Sequence, residues 1–110
     1  MNVSEICNKL DLKCVSGNEM SDTEVTNCYI GDLLSLAMAN VQSGTVWITI
    51  QTNINVAAVA SLGDAACVIT VDGNSPDENT VEKANAEGIV IFTTEMSAYE
   101  TAKKLAELGL

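Results

Sequence analysis

The sequence has no histidine, no arginine and a single proline. Each absence removes a class of chemistry. Without histidine, no side chain of ordinary near-neutral pKa can act as base for a serine or cysteine nucleophile. Nor is there an imidazole to complete a zinc set with cysteine. Without arginine there is no bidentate clamp for phosphate or carboxylate. All five cations are lysines (Lys9, Lys13, Lys83, Lys103, Lys104), against 15 acidic residues, for a net charge of −10. That balance repels nucleic acid and disfavours anionic membrane surfaces. An anionic ligand has to be held by backbone N–H groups, helix N-termini or lysine. The sequence also lacks a Walker loop, a G-x-G-x-x-G fingerprint and a G-x-S-x-G elbow. No cofactor, metal site or catalytic residue is therefore expected. Long apolar runs are missing too: Ile54 to Leu62 is about half a membrane span. The start, Met1 to Glu5, has neither the basic nor the apolar region of a signal peptide. A cytoplasmic location is the expectation.

What is present suits one folded domain over residues 1–110. The hydrophobic fraction of 47% is ordinary for a globular protein and argues against disorder despite the charge. Cys7, Cys14, Cys28 and Cys67 form no C-x-x-C pair. They read as reduced, buried thiols rather than as a cluster.

Asn2 to Leu10 predicts a short helix, with Val3, Ile6, Cys7 and Leu10 on one face and Asn2 and Glu5 at capping-box spacing. Leu12–Val15 and Glu24–Ile30 read as short strands, with Ser16-Gly17-Asn18 as a turn. Asp32 is a plausible N-cap for a helix whose face is Leu33, Leu34, Ala37, Met38 and Val41, ending near Gly44. From there three nearly continuous β-branched and apolar runs follow: Thr45–Ile50, Cys67–Val71 and Ile89–Phe92. Strands covered on both faces look like this. Each run precedes a helical stretch, and Ile48, Ile69 and Ile91 sit at matching points. This is the rhythm of three consecutive βα units in a mostly parallel sheet with flanking helices. The fold class expected is α/β.

Asn53 or Asn55 can cap the helix that contains Val56–Ala60. That stretch is apolar almost all round and so expected to be buried on more than one side. Ser75-Pro76-Asp77-Glu78 reads as an N-cap serine, a first-turn proline and a glutamate at N3. Gly88 ends that helix. Ser97 and Glu100 form a second capping box. Trp47 and Met38 are read as core. Tyr29 and Tyr99 are candidates to face a partner or ligand.

In an open parallel sheet, ligands bind where loops leave the carboxyl ends of the strands. Three loops qualify: Gln51-Thr52-Asn53-Ile54-Asn55, Asp72-Gly73-Asn74-Ser75 and Thr93-Thr94-Glu95-Met96-Ser97. The candidate ligand cradle is Gln51, Thr52, Asn53, Asn55, Asp72, Gly73, Asn74, Thr93, Thr94, Ser97 and Tyr99. The competing reading is that such residues only cap helices and form turns.

Read in order, Val25–Leu34, Trp47–Thr52, Ala66–Gly73, Ala86–Thr94 and Ser97–Ala102 together resemble the DRTGG domain, which is related to the N-terminal domain of HPr kinase/phosphorylase. The likeness covers nearly the whole chain and is similar to small stand-alone versions of that domain. It implies a mostly parallel α/β fold and an accessory role beside phosphotransacetylases or beside CBS domains in regulated pyrophosphatases. It also implies a contribution to dimerisation, with chemistry left to attached domains. The family's naming motif is absent: Gln51-Thr52-Asn53-Ile54-Asn55 follows the Thr45–Ile50 strand, without the Asp-Arg pair or the glycines. No binding residue is carried over from the resemblance.

The expectation is a non-catalytic regulatory or interaction module that dimerises or docks on a larger enzyme. The alternative is a sensor holding a nucleotide or other metabolite on the three loops.

Overall fold

The computed structural model describes residues 1–110. Helix α1 (Val3–Leu10) opens the chain, with the Asn2 carboxamide accepting from the Glu5 N–H and the Glu5 carboxylate accepting from the Asn2 N–H. Strands β1 (Lys13–Ser16) and β2 (Asn27–Ile30) follow. Then come α2 (Leu34–Asn40), β3 (Thr45–Thr49), α3 (Asn55–Gly63), β4 (Cys67–Thr70), α4 (Glu78–Ala86), β5 (Ile91–Thr93) and α5 (Ala98–Glu107). No helix is long and apolar enough to cross a membrane.

The sheet runs β1-β5-β4-β3-β2. Strands β2 to β5 are mutually parallel, and β1 pairs antiparallel with β5. The second short strand thus joins the parallel set, and α2 serves as its crossover.

Alternate side chains on each strand enter two separate cores. Val46, Ile48, Cys67, Ile69 and Phe92 pack with Val3, Ile6 and Leu10 of α1 and Leu105 of α5. Trp47, Val68 and Ile91 pack with Ala37 of α2, Val56 and Ala60 of α3 and Ala84 of α4. Both faces are covered, which is why these strands lack polar alternation. Helix α3 buries Val56, Ala57, Val59 and Ala60, and the small alanines let it lie close to its neighbours. Trp47 is fully buried and donates from Nε1 to the Gly31 carbonyl at 2.9 Å.

Several local expectations change. Ile48 does stand opposite Ile69, but Ile69 stands opposite Phe92, so Ile91 faces the other core. One residue of register moves a side chain to the opposite face. Asp32 is not an N-cap: Leu33 holds that position without a side-chain bond, and the Asp32 carboxylate instead reaches β3. Helix α4 starts at Glu78 with Asp77 as cap residue, so Ser75 and Pro76 belong to the preceding extended stretch. Residue Ile54, not an asparagine, precedes α3, although Asn53 Oδ1 accepts from the Asn55 N–H at 2.9 Å.

The α2 face is the largest departure. Ala37 and Val41 are buried, but Met38 is 57% exposed and Leu33 61%. Met38 is therefore not core. With only seven residues, about two helical turns, α2 buries just Ala37. The thiols also differ among themselves: Cys7 and Cys67 are buried, Cys14 is half-buried and Cys28 is exposed. Cys14 on β1 and Cys28 on β2 lie at opposite edges of the sheet.

Candidate functional site

Strands β3, β4 and β5 are neighbours and parallel, so the three loops leaving them come together at one end of the sheet. The backbone binds them to one another. The Asp72 N–H donates to the Met96 carbonyl at 2.9 Å and the Gly73 N–H to the Thr94 carbonyl at 3.0 Å. Thr93 Oγ1 donates to the Asn74 carbonyl at 3.1 Å. The Thr52 carbonyl accepts from the Asp77 N–H at 2.9 Å and from Thr80 Oγ1 at 2.8 Å.

The individual side chains of the cradle are largely occupied in this bracing. Gln51 Nε2 donates to the Asp32 carbonyl, and Gln51 Oε1 accepts from Asn53 Nδ2. Asn74 Nδ2 donates to the Val71 carbonyl. Asp72 and Gly73 both have positive φ, and the Asn74 N–H closes the turn onto the Val71 carbonyl at 3.1 Å. This is the mirror-image β-turn that an Asp-Gly pair favours. Ser97 Oγ accepts from the Glu100 N–H at 3.1 Å, completing the capping box of α5. Tyr99 points into solvent. Asn55 contributes its N–H to the Asn53 carboxamide.

The concave feature at this end lies to one side of the cradle. A cleft of about 380 Å³ opens between the third loop and the junction of α1 with β1. Thr93, Thr94, Glu95 and Met96 form one wall; Leu10, Asp11 and Lys13 form the other. Of the expected cradle residues, Thr93 and Thr94 line it and the others do not. Leu10, Asp11 and Lys13 were not legible as site residues. They arrive here because β1 pairs with β5, setting Lys13 opposite Thr93. The only local signal is Asp11 itself, whose φ of 53° ends α1 in a left-handed cap that aspartate tolerates better than most residues. The cleft offers hydroxyls, one ammonium and two carboxylates, a set suited to a small polar ligand rather than to a polyanion.

No three cysteine, aspartate or glutamate side chains converge in a metal-binding group. The thiols are poor nucleophiles in this fold. Burial pushes Cys7, Cys14 and Cys67 above the ordinary thiol range. A nucleophilic thiol needs the opposite shift.

A second feature is spread along the β2 side. From Val25 to Gly63 the chain carries one charged residue, Asp32, in a protein of net charge −10. Ile30 is 49% exposed, Leu36 53%, and Ile50 and Leu33 are also open. Ile30 stands opposite Ile48, Ile50 lies one pleat further along the same face, and Leu33 follows within one turn. The result is an apolar corner at the β2 edge, free of charge apart from Asp32, with Ile30 and Ile50 on the strand side and Leu33 and Leu36 at and on α2.

No curated protein matches the chain significantly. Among solved structures, the chain is similar to the CBS and DRTGG domains of the regulatory region of a Clostridium perfringens pyrophosphatase, complexed with its activator diadenosine tetraphosphate. The TM-score is 0.78 at 14% identity, over 94% of this chain and 45% of that one. The chain thus spans under half of that neighbour, and the likeness is one of fold. The model of the DRTGG domain matches residues 5–108. Fold and match cover the same five strands and five helices, so the chain belongs to the DRTGG domain family.

Proposed function

We propose that this chain is a non-catalytic regulatory domain that works by association, as a homodimer or docked on a larger enzyme. The observation that carries this reading is the apolar corner of Ile30, Leu33, Leu36 and Ile50 on an otherwise strongly acidic molecule. Exposed apolar side chains gathered in a stretch without charge mark interaction sites. Shifted thiols and braced loop side chains support the absence of chemistry at the sheet end. Sedimentation velocity across a concentration series tests the reading. The wild type is expected to self-associate, and the double variant Leu33→Asp, Leu36→Asp to stay monomeric. Turnover by the purified chain, abolished by a single loop substitution, would overturn it.

A second reading is favoured by the cleft: a small polar metabolite seated between Lys13 and Thr94, with the domain acting as its sensor. The similar pyrophosphatase region takes a dinucleoside polyphosphate, but this chain has only lysines to offer a polyanion, and Asp11 and Glu95 stand at the cleft. Thermal-shift screening of nucleotides, diadenosine tetraphosphate, amino acids and neutral metabolites discriminates. A ligand at 100 times its Kd adds about 2.7 kcal/mol of stability. A shift that disappears in Lys13→Ala supports the cleft; no shift with any compound removes this reading.

A further inference from the structure

The two edges of the sheet are built differently. At β1 the outer edge carries Lys13, and the register with β5 shifts between Cys14 and Ser16. A lysine and an irregularity are both devices that discourage a further strand from pairing. At β2 neither is present. Asn27-Cys28-Tyr29-Ile30 has no charge and no proline, and it pairs with β3 in unbroken register.

The backbone of β2 is half used. The Asn27 N–H donates to the Gly44 carbonyl at 3.5 Å and the Gly31 N–H to the Ile48 carbonyl at 3.2 Å. Odd-numbered residues therefore face β3, and by the alternation of a strand the amides and carbonyls of Cys28 and Ile30 point away from it. No turn, loop or cap bond reaches either residue. The Cys28 and Ile30 side chains lie on the sheet face that α1 and α5 cover further in, beyond the reach of those helices, and both residues are exposed.

Charge selects the occupant. A basic partner would be drawn to the acidic remainder of the surface, not to a stretch with one carboxylate. Two copies of a molecule of net charge −10 repel wherever their carboxylates approach, and the Val25–Gly63 segment is where they can meet without doing so. Resting on the association reading above, we infer that the occupant is a second copy of this chain, with β2 pairing antiparallel to β2 across a two-fold axis beside Tyr29. That axis sets Cys28 of each copy opposite Ile30 of the other, so the outward amides and carbonyls of both residues pair. It joins the two sheets into one continuous sheet and places both exposed Ile30 side chains on the same face. A two-fold interface of this kind uses both β2 edges at once, and the edges that remain are the two β1 strands, with their lysine and shifted register.

Amide hydrogen exchange read by NMR, with sedimentation on the same samples, tests the geometry. At dimer-forming concentrations the Cys28 and Ile30 amides are expected to gain at least about tenfold protection, lost again on dilution. Ile30→Lys, on an exposed side chain, is expected to raise the dimer Kd by at least about tenfold while the circular dichroism of the fold is retained. Ile30→Thr, which keeps β-branching without adding charge, is expected to weaken the dimer less. A wild-type dimer in which the Cys28 and Ile30 amides exchange at unprotected rates would overturn strand pairing and leave association through another face standing. A wild type that sediments as a monomer at every concentration overturns both self-association and the pairing.

Discussion

The carboxylate of Asp32 accepts from Thr49 Oγ1 and from the Ile50 N–H, each at 2.9 Å, and so ties the end of β2 to the end of β3. The one charged side chain in the long neutral segment is thereby held in hydrogen bonds to its own chain, and the neighbouring Gln51 side chain adds a bond to the Asp32 carbonyl at 2.7 Å. Asp32→Ala removes the acceptor of a buried threonine and of a backbone amide. The expected cost is roughly 1–3 kcal/mol in urea denaturation, with Asp32→Asn losing less because an acceptor oxygen remains. A wild-type midpoint in Asp32→Ala would show that water replaces the carboxylate without loss.

Trp47 fills the core between the sheet and α2, α3 and α4, with no exposed surface. Trp47→Ala is expected to cost roughly 3–5 kcal/mol, through lost burial and the cavity left behind. Trp47→Phe keeps most of the volume but leaves the Gly31 carbonyl without its donor, so an intermediate loss is expected. The comparison of the two by chemical denaturation separates packing from the hydrogen bond.

Gly17 and Gly88 both have positive φ, 72° and 71°, but differ in what surrounds them. A Cβ on Gly17 would lie 2.7 Å from the Ile89 carbonyl oxygen and 2.8 Å from the Val90 Cα; one on Gly88 would meet nothing within 4 Å. Gly88→Ala is expected to cost about 1 kcal/mol, the strain of a left-handed alanine alone. Gly17→Ala has to displace the Ile89–Val90 backbone leading into β5 as well and is expected to cost clearly more. Equal thermal midpoints for the two variants would contradict the close approach at Gly17.

Stability is expected to fall on the alkaline side. Burial raises the Cys7, Cys14 and Cys67 thiols, and the Met1 ammonium is raised by its hydrogen bond to Glu24. A group raised in the folded state gives stability that is complete below its unfolded pKa and is lost as pH climbs from there toward the folded value. Unfolded thiols ionise near about 8.5. The urea midpoint should hold from neutrality to that range and decline above it, and Cys67→Ala should make the decline shallower. A midpoint flat through pH 10 would contradict the burial of these thiols.

Part of this architecture was legible along the chain. Both capping boxes, Asn2 with Glu5 and Ser97 with Glu100, stand as read, because donor and acceptor are three residues apart and need no other part of the molecule. The apolar strand runs were legible for a similar reason: a strand covered on both faces has no polar side to show. Gly88 follows the end of α4 as read. For Asp72 and Gly73 the turn, given as the competing reading of the cradle, is what the structure shows.

What failed to read correctly depended on partners far away in sequence. Asp32 has the residue type and place of an N-cap, yet its acceptor capacity goes to Thr49 and Ile50. Met38 has the spacing of a core residue, but the short α2 leaves it outside. The cleft walls, Leu10 to Lys13 and Thr93 to Met96, meet only because β1 pairs antiparallel with β5.

The sequence by itself determined the elements, the α/β class and the exclusion of histidine- or arginine-based chemistry, since each follows from residue type and short-range geometry. Only the tertiary structure decided the strand order, which face each helix covers and which edge stays open. Those depend on register between distant strands, and a shift of one residue there, invisible to local pattern, turns a buried side chain outward.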